Sequence, residues 1–317
     1  MPDRTVLTLG NFDGPHVGHR VIIQHARAIT DEHAAQVVAV TFDPPPVEIL
    51  NPAARPPAIT TLEQRVLRLR EAGADAVEVL RPDREMLAQS ADTFIEKLVT
   101  QYRPVAIVEG PDFRFGKGRE GDMDRLAELG KRLDFEAVTV PRVEVPLHDQ
   151  QLVPVSSSLV RWLVGRGRVA DAAACLGQPF SLTATVVKGE QRGRQLGIPT
   201  ANLDPDQIAP YIVPADGVYA GLAELDGQPL IPAAISVGIK PTFGKKALTV
   251  EAHLLDQDLD LYGQTLTLHF ARWVRDQYPF PGAEALLEQL HRDIDQTRRW
   301  HANGTLDSLD TAPKASA

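Results

Sequence analysis

A single cysteine, Cys175, stands among 317 residues. That excludes an intramolecular disulfide and any zinc site built from several cysteines, and it fits a reducing compartment. Basic side chains are outnumbered: 33 Lys and Arg against 42 Asp and Glu leave a formal charge of −9. Such a chain lacks the positive field of a general nucleic-acid or anionic-membrane binder. No apolar run approaches the roughly 18 residues of a spanning helix. The opening MPDRTVLTLG moves from charged residues straight into a strand-like segment, unlike a signal peptide. No internal repeat is visible. What is present is ordinary globular material, 43% hydrophobic and 24% charged, sufficient for sizeable cores. At about 150 residues per domain, the length predicts two domains in a soluble, cytoplasmic protein.

The first half alternates short apolar runs with longer helical patterns. Thr5–Leu9, Gln36–Phe42, Ala76–Leu80, Val105–Val108 and Glu136–Val140 read as buried strands. Between them Val17–Ile29, Leu62–Glu71, Thr93–Tyr102 and Asp124–Leu133 read as amphipathic helices. This alternation predicts an α/β doubly wound parallel sheet, Rossmann-like, with helices on both faces. Near residue 180 the texture changes. Leu182–Val187, Gly217–Leu225, Leu230–Val237, Leu248–Leu255 and Thr265–Val274 are alternating or β-branched, with Gly, Pro and Asp between them. They predict a small antiparallel β-barrel. A helix over Ala283–Trp300 follows, with Leu286, Leu287, Leu290 and Ile294 on one face. The junction is placed between Cys175 and Ser181, giving domains 1–178 and 179–302. The polar tail 303–317 reads as disordered.

Three stretches of the first domain carry chemistry. Thr5–Leu9 ends in Gly10-Asn11-Phe12-Asp13-Gly14-Pro15-His16-Val17-Gly18-His19, which opens a helix. A strand, a glycine-containing turn and a helix start set main-chain N–H groups and a helix dipole where a polyphosphate can sit. His16 and His19, spaced i and i+3, face one side, and their N–H groups can offset charge as phosphates separate. Gly18 leaves room for a nucleotide against the backbone. The bland alternative is a decorated helix start. HxGH in this setting resembles the nucleotidyltransferase superfamily, which transfers a nucleoside monophosphate from ATP. Val155-Ser156-Ser157-Ser158-Leu159-Val160-Arg161 reads as a serine-capped short helix, in which Ser157, Ser158 and Arg161 form a second phosphate grip or simply a cap. Asp112, Phe113 and Phe115 follow the fourth strand, where doubly wound sheets bind ligands; they make an acceptor site or a glycine turn with both rings in the core.

The second domain has its own signal. Gly189, Gly193 and Gly197 punctuate a cover suited to close backbone approach to phosphates, although no GxxxxGK-S/T loop occurs. Pro199 precedes Thr200 and Asn202, which point to the same face of an extended segment and can hold Mg²⁺ through oxygen. A glycine hairpin without ligand is the competing reading. Glu251, on an otherwise apolar strand, is either structurally paired or poised as a base.

Taken together, GNFDGPHVGH, TFDPPP, GPDFRFG, VSSSLVR, GRQLGIPTANL, PADGVYAG, SVGIKPTFG, VEAHLLD and DLYG resemble the prokaryotic bifunctional FAD synthetase family, in which riboflavin kinase is joined to FMN adenylyltransferase. The resemblance runs from about Val6 to Arg299 and keeps the family's motif order. It implies Mg²⁺- and ATP-dependent phosphorylation of riboflavin to FMN in the barrel, then adenylylation of FMN by a second ATP to FAD and pyrophosphate. It also implies His16, Gly18, His19 and the Gly10, Asn11 and Gly14 turn at the ATP phosphates, with Ser157, Ser158 and Arg161 opposite. Asp112 and Phe113 would lie near the flavin. In the kinase it implies Gly189, Gly193, Gly197, Thr200 and Asn202 at ATP, Thr200 and Asn202 also at the metal, Glu251 as general base, and Arg275 on the flavin side. Partners are then small molecules, with neither nucleic acid nor membrane, in a monomer or weak homo-oligomer. One departure matters: Pro45 stands where the family commonly has histidine in TFxPHP. It motivates an alternative, a riboflavin kinase with an impaired or altered nucleotidyltransferase half. A non-catalytic flavin or nucleotide sensor is the third reading.

Overall fold

The computed structural model describes residues 4–189, 193, 196–242 and 245–306. Its chain divides into two compact units: residues 1–56, 60–144 and 154–157 form one, and 57–59, 145–153 and 158 onward form the other.

In the first unit, β1 (Thr5–Leu9), α1 (Val17–His33), β2 (Gln36–Phe42), α2 (Pro46–Leu50), α3 (Leu62–Glu71) and β3 (Ala76–Leu80) are followed by α4 (Arg84–Leu87), α5 (Ala91–Tyr102), β4 (Pro104–Glu109), α6 (Met123–Leu133) and β5 (Glu136–Thr139). The five strands pair in parallel in the order β3-β2-β1-β4-β5. The uninterrupted apolar runs have a reason: alternate residues serve two different cores. Leu7, Leu9, Val38, Val40 and Ile107 pack with Ile95, Leu98, Leu126 and Leu129 of α5 and α6. Their neighbours Val6, Val37, Ala39, Ala106 and Val108 pack with Ile23 and Ala26 of α1 and Leu69 of α3. Local chemistry sets the helix ends. Thr61 and Gln64 form a capping box on α3, while Ser90 and Asp122 cap α5 and α6. Because β2 and β3 lie on one side of β1 and β4 on the other, the sheet reverses its winding between β1 and β4. That is where such sheets open a crevice.

The second unit contains the helices α7 (Ser157–Gly165, whose first residue groups with the sheet unit) and α8 (Val169–Leu176), preceded by the short pair β6 (Glu144–Pro146) and β7 (Leu152–Pro154). Helix α8 lies against the barrel strands Phe180–Val187 and Thr265–Arg275, so residues before 178 group with the barrel. Six strands close the barrel in the order β10-β11-β12-β9-β8-β13: β8 (Phe180–Val187), β9 (Ala201–Leu203), β10 (Gly217–Glu224), β11 (Ile231–Thr242), β12 (Lys245–Leu254) and β13 (Thr265–Arg275). A short helix, α9 (Pro205–Ile208), follows β9, and α10 (Ala283–Ala302) ends the order. The largest fully buried side chains inside are Tyr219, Phe180 and Phe270, with ring centroids 5.5 Å and 5.9 Å from Phe270. Leu287, Leu290 and Ile294 seat α10 on Ile198 and Leu255.

Two differences from the sequence expectation stand out. Strands β11 and β12 run well beyond the apolar segments that announced them, because the hairpin continues its pairing to Thr242–Lys245. Order also continues past Asn303. Leu306 is buried with Ala220 and Leu222, so the tail predicted to be disordered begins as packed chain; residues 307–317 lie outside the described part. Among the described residues no helix is long and apolar enough to cross a membrane.

Candidate functional sites

At the switch point, β1 and β4 remain paired only as far as Leu7 and Ile107. The turn that leaves β1 is tied down on every side. The Gly10 N–H donates to Val40 O at 3.0 Å, the Gly14 N–H to Thr60 Oγ1 at 3.2 Å, and Thr41 Oγ1 to Asn11 O at 3.0 Å. Ser157 Oγ donates to Asp13 O at 2.7 Å, which joins the first residue of α7 to this turn. Gly14 has φ of +62°, a left-handed conformation natural to glycine.

The turn delivers two histidines. His16 is the N-cap of α1: its Nδ1 accepts from the His19 N–H, while His19 Nδ1 accepts from the His16 N–H, both at 3.3 Å. This is a capping box made by imidazoles instead of Ser and Glu. The rings stack with centroids 3.6 Å apart and 15° between planes, and Phe12 meets His19 edge-on at 5.0 Å. Burial lowers the His16 pKa to about 4 and holds that of His19 well below its ordinary value, with the neighbouring His16 adding to the effect. Both rings are therefore neutral at pH 7. With Nδ1 accepting, each proton sits on Nε2, leaving two N–H donors for an anion. A Cβ on Gly18 would stand 3.1 Å from the His16 ring, so this glycine makes room for the histidine rather than only for a nucleotide.

Beside the turn, a cavity of about 530 Å³ is lined by Gly10, Asn11, Phe42, Asp112, Phe113 and Phe115, among others. The Phe113 and Phe115 rings stack at 5.3 Å; Phe115 is also buried in the core. Asp112 is exposed and paired with Arg142, whose Nε lies 2.8 Å from Oδ2; the hydrogen bond from this guanidinium lowers its pKa. Pro45 is the N-cap of α2 and offers no side-chain hydrogen bond there. Ser158 and Arg161 belong to the second unit, Ser158 exposed and Arg161 donating through Nε to Pro57 O at 2.7 Å. Sequence reasoning passed over Thr60, Thr41 and Glu109. Glu109 ends β4 and is buried, and burial pushes its pKa up to about 8. The only signal of it was one charged residue closing an apolar run.

In the barrel, β9 lies between β8 and β12 and sets Asn202 directly opposite Glu251. Thr200, two residues before Asn202, donates through Oγ1 to Glu251 Oε2 at 3.4 Å. The three predicted side chains thus meet, half-buried, on one stretch of wall. A Cβ on Gly189 would fall 2.6 Å from the Asn202 side chain, and one on Gly193 would collide with Ile198 O. At those two positions the lack of a Cβ lets the backbone approach its neighbours closely; residues 190–192 and 194–195 lie outside the described part. Gly197 has φ of +77°. A cavity of about 190 Å³ adjoins Gly189, Thr200 and Asn202, with Asp258, Asp260 and Tyr262 on its far rim. Among the described residues no cluster of three or more His, Cys, Asp or Glu could hold a metal ion. Thr200 and Asn202 nevertheless provide hard oxygen donors, which fits Mg²⁺ carried largely by nucleotide phosphates. Arg275 differs from its expected setting. Its guanidinium grips buried Asp293 of α10 with both carboxylate oxygens at 2.7 to 3.0 Å, and stacks at 5.3 Å and 5.5 Å over Tyr278 and Phe280. It ties β13 to α10.

Comparison with known proteins covers both halves of the chain. A family model described as FAD synthetase matches residues 1–158, and one described as riboflavin kinase matches 176–301. The bifunctional riboflavin kinase/FMN adenylyltransferase of Escherichia coli K12 is 33% identical over 289 residues, covering 91% of this chain and 90% of that protein. Its Bacillus subtilis counterpart is 30% identical over 304 residues, covering 95% and 93%. A crystal structure from Streptococcus pneumoniae, described as a macrolide-efflux protein, superposes with a TM-score of 0.85 at 29% identity, covering 95% of each chain. The chain belongs to the bifunctional riboflavin kinase/FMN adenylyltransferase family.

Proposed function

We propose that this protein makes FAD from riboflavin in two ATP-dependent steps. The barrel transfers the γ-phosphoryl group of ATP to the ribityl 5′-hydroxyl, giving FMN and ADP. The parallel-sheet unit then joins FMN to the AMP part of a second ATP, giving FAD and pyrophosphate. The kinase chemistry belongs to residues 179–302 and the adenylyl transfer to residues up to 178. The observation that carries this reading is the meeting of Thr200, Asn202 and Glu251 on the barrel wall, in a chain whose other unit presents the stacked His16–His19 pair.

Each site suits its step. A primary hydroxyl is a weak nucleophile, and Glu251 takes its proton as the O–P bond forms. Thr200 and Asn202 hold the nucleotide and would hold Mg²⁺, which supplies charge neutralisation at the phosphates. Gly189, Gly193 and Gly197 close over them. In the other unit the FMN phosphate is already an anion and needs no base. A phosphate oxygen attacks the α-phosphorus while the α–β bridge breaks. The Nε2–H groups of His16 and His19 hold the oxygens on which charge accumulates, and the Gly10–Gly14 turn, fixed by its own hydrogen bonds, shapes the place where they lie. Ser157, Ser158 and Arg161 contribute from α7, and the isoalloxazine occupies the cavity at Phe113 with Asp112 at its mouth. Arg275 serves the flavin side of the kinase by fixing β13 to α10. The protein works in the cytoplasm as a monomer or weak homo-oligomer, without a nucleic-acid or membrane partner.

The test is a time course of purified protein with riboflavin, ATP and Mg²⁺, with both products quantified by chromatography. FMN should rise first and FAD follow at its expense. FMN accumulating with no FAD, also when FMN is supplied with ATP, CTP or GTP, would confine the activity to the kinase. Binding without any product would leave a sensor.

A further inference from the structure

Where β1 and β4 part, the last residues of β1 lose their backbone partner on that side: pairing ends at Leu7 and Ile107 while β1 runs to Leu9. The carboxyl of Glu109 fills the gap. Its Oε1 accepts the Leu9 N–H and the Thr8 hydroxyl, the latter at 3.2 Å. Thr8 and Glu109 are both buried, and among the described residues no ion pair reaches Glu109. A side chain that satisfies a strand N–H at this point fixes the direction in which the next residues leave the sheet. Those residues are Gly10–His19, the turn and histidine pair described above.

We infer that Glu109 is a positioning residue of the adenylyl-transfer site, holding the end of β1 so that the Gly10–His19 segment meets the nucleotide phosphates in one fixed geometry. It touches no substrate and acts through Leu9. Because burial without a cation keeps this carboxyl mainly protonated at neutral pH, glutamine is a close replica of the working form. Its Oε1 can accept the same two hydrogen bonds. A hydrocarbon leaves the Leu9 N–H buried and unpaired, and aspartate is one methylene too short to reach it.

The inference rests on the adenylyl-transfer reading, and the experiment separates the two. Wild-type full-length protein is first assayed for FAD from FMN and ATP; no FAD at this stage would overturn the reading itself. Glu109→Gln, Glu109→Asp and Glu109→Val are then compared for KM of ATP and kcat in that reaction, with FMN formation from riboflavin measured on the same samples. Glu109→Gln should stay within about threefold of wild type in both constants. Glu109→Val should raise the KM of ATP by tenfold or more, and Glu109→Asp by a smaller factor, with riboflavin phosphorylation unchanged in all three. Should Glu109→Val fail to fold, Glu109→Asp decides. A KM for ATP equal to wild type in Glu109→Asp, or a loss in Glu109→Gln as large as in Glu109→Val, would overturn the assignment.

Discussion

The two sites of this chain are built on opposite plans. At the start of α1 the frame is set before a substrate arrives: the turn is tied to β2, Thr60 and Ser157, and the two imidazoles cap one helix reciprocally through Nδ1, which aims both Nε2–H groups outward. In the barrel, Thr200 and Glu251 are 3.4 Å apart and the Asn202 amide is 3.5 Å from its acceptor, both at the edge of hydrogen-bond range. The difference follows the chemistry. Adenylyl transfer to an anionic phosphate needs fixed dipoles, and rigidity serves it. Phosphorylation of an alcohol needs a carboxylate that can collect a proton, and contacts that tighten only around substrate, such as that of Thr200 with Glu251, serve that.

The largest separation of the two plans should come from Glu251→Gln. Glutamine keeps the shape and the packing of β12 but cannot take a proton. FMN formation should fall by a factor on the order of 10² to 10⁴. FAD formation from supplied FMN should stay within twofold of wild type. Equal damage to both reactions in a folded protein would mean that the sites are not independent.

His19→Ala is the converse. It removes one phosphate donor and also the acceptor that caps the His16 N–H. A factor on the order of 10² to 10³ should be lost from FAD formation, the cost of one preorganised donor. FMN formation should be untouched, and chromatography of both products from one reaction reads the contrast directly.

Much of this was legible in the sequence. The central strands β1, β2 and β4 were readable because both of their faces are buried, so each appears as an apolar run, ended by Gly10, Asp43 and Glu109 respectively. The i, i+3 histidines and the Thr-x-Asn alternation were readable because short spacings survive folding unchanged. Other features depend on which elements become neighbours, and spacing carries no trace of that. Glu109 meets Leu9 only because the sheet places β4 beside β1. Arg275 finds Asp293 only because α10 folds back onto the barrel. Strand β9 is three residues long, too short for a period to show.

The neutral, buried character of the first site gives it a pH signature. His16 has a folded pKa of about 4 against 6.5 unfolded, so the stability it contributes is present above pH 6.5 and lost as pH falls towards 4. Glu109 has the opposite sign. Its pKa rises from 4.5 to about 8, so its contribution is complete below pH 4.5 and lost as pH climbs to 8. Between pH 4.5 and 6.5 the two histidines, His16 and His19, oppose Glu109; above 6.5, of these three groups, only Glu109 remains. From pH 6.5 to 8 the sheet unit should therefore lose about 2 kcal/mol. Hydrogen exchange at β1 amides, corrected for intrinsic rates, measures it. Glu109→Gln should flatten this limb. A slope that persists in the variant would assign it to another group.

The smallest expected effect is the most selective. Gly18 lies in the first turn of α1 with no left-handed φ, so alanine there gains about 1 kcal/mol of helix propensity over glycine. Its new Cβ would stand 3.1 Å from Cε1 and Nδ1 of His16, closer than carbon and nitrogen ordinarily approach. The ring must shift by a few tenths of an ångström, which changes its stack with His19. Propensity and crowding then nearly cancel in stability while the imidazole geometry changes. Gly18→Ala should melt within about 2 °C of wild type, since 1 kcal/mol moves a unit of this size by only a few degrees. FAD formation should drop about three- to tenfold, with FMN formation unaltered. If FAD formation were unaltered too, the exact seating of His16 would not matter to the transfer, and the rigid plan assigned to this site would be wrong.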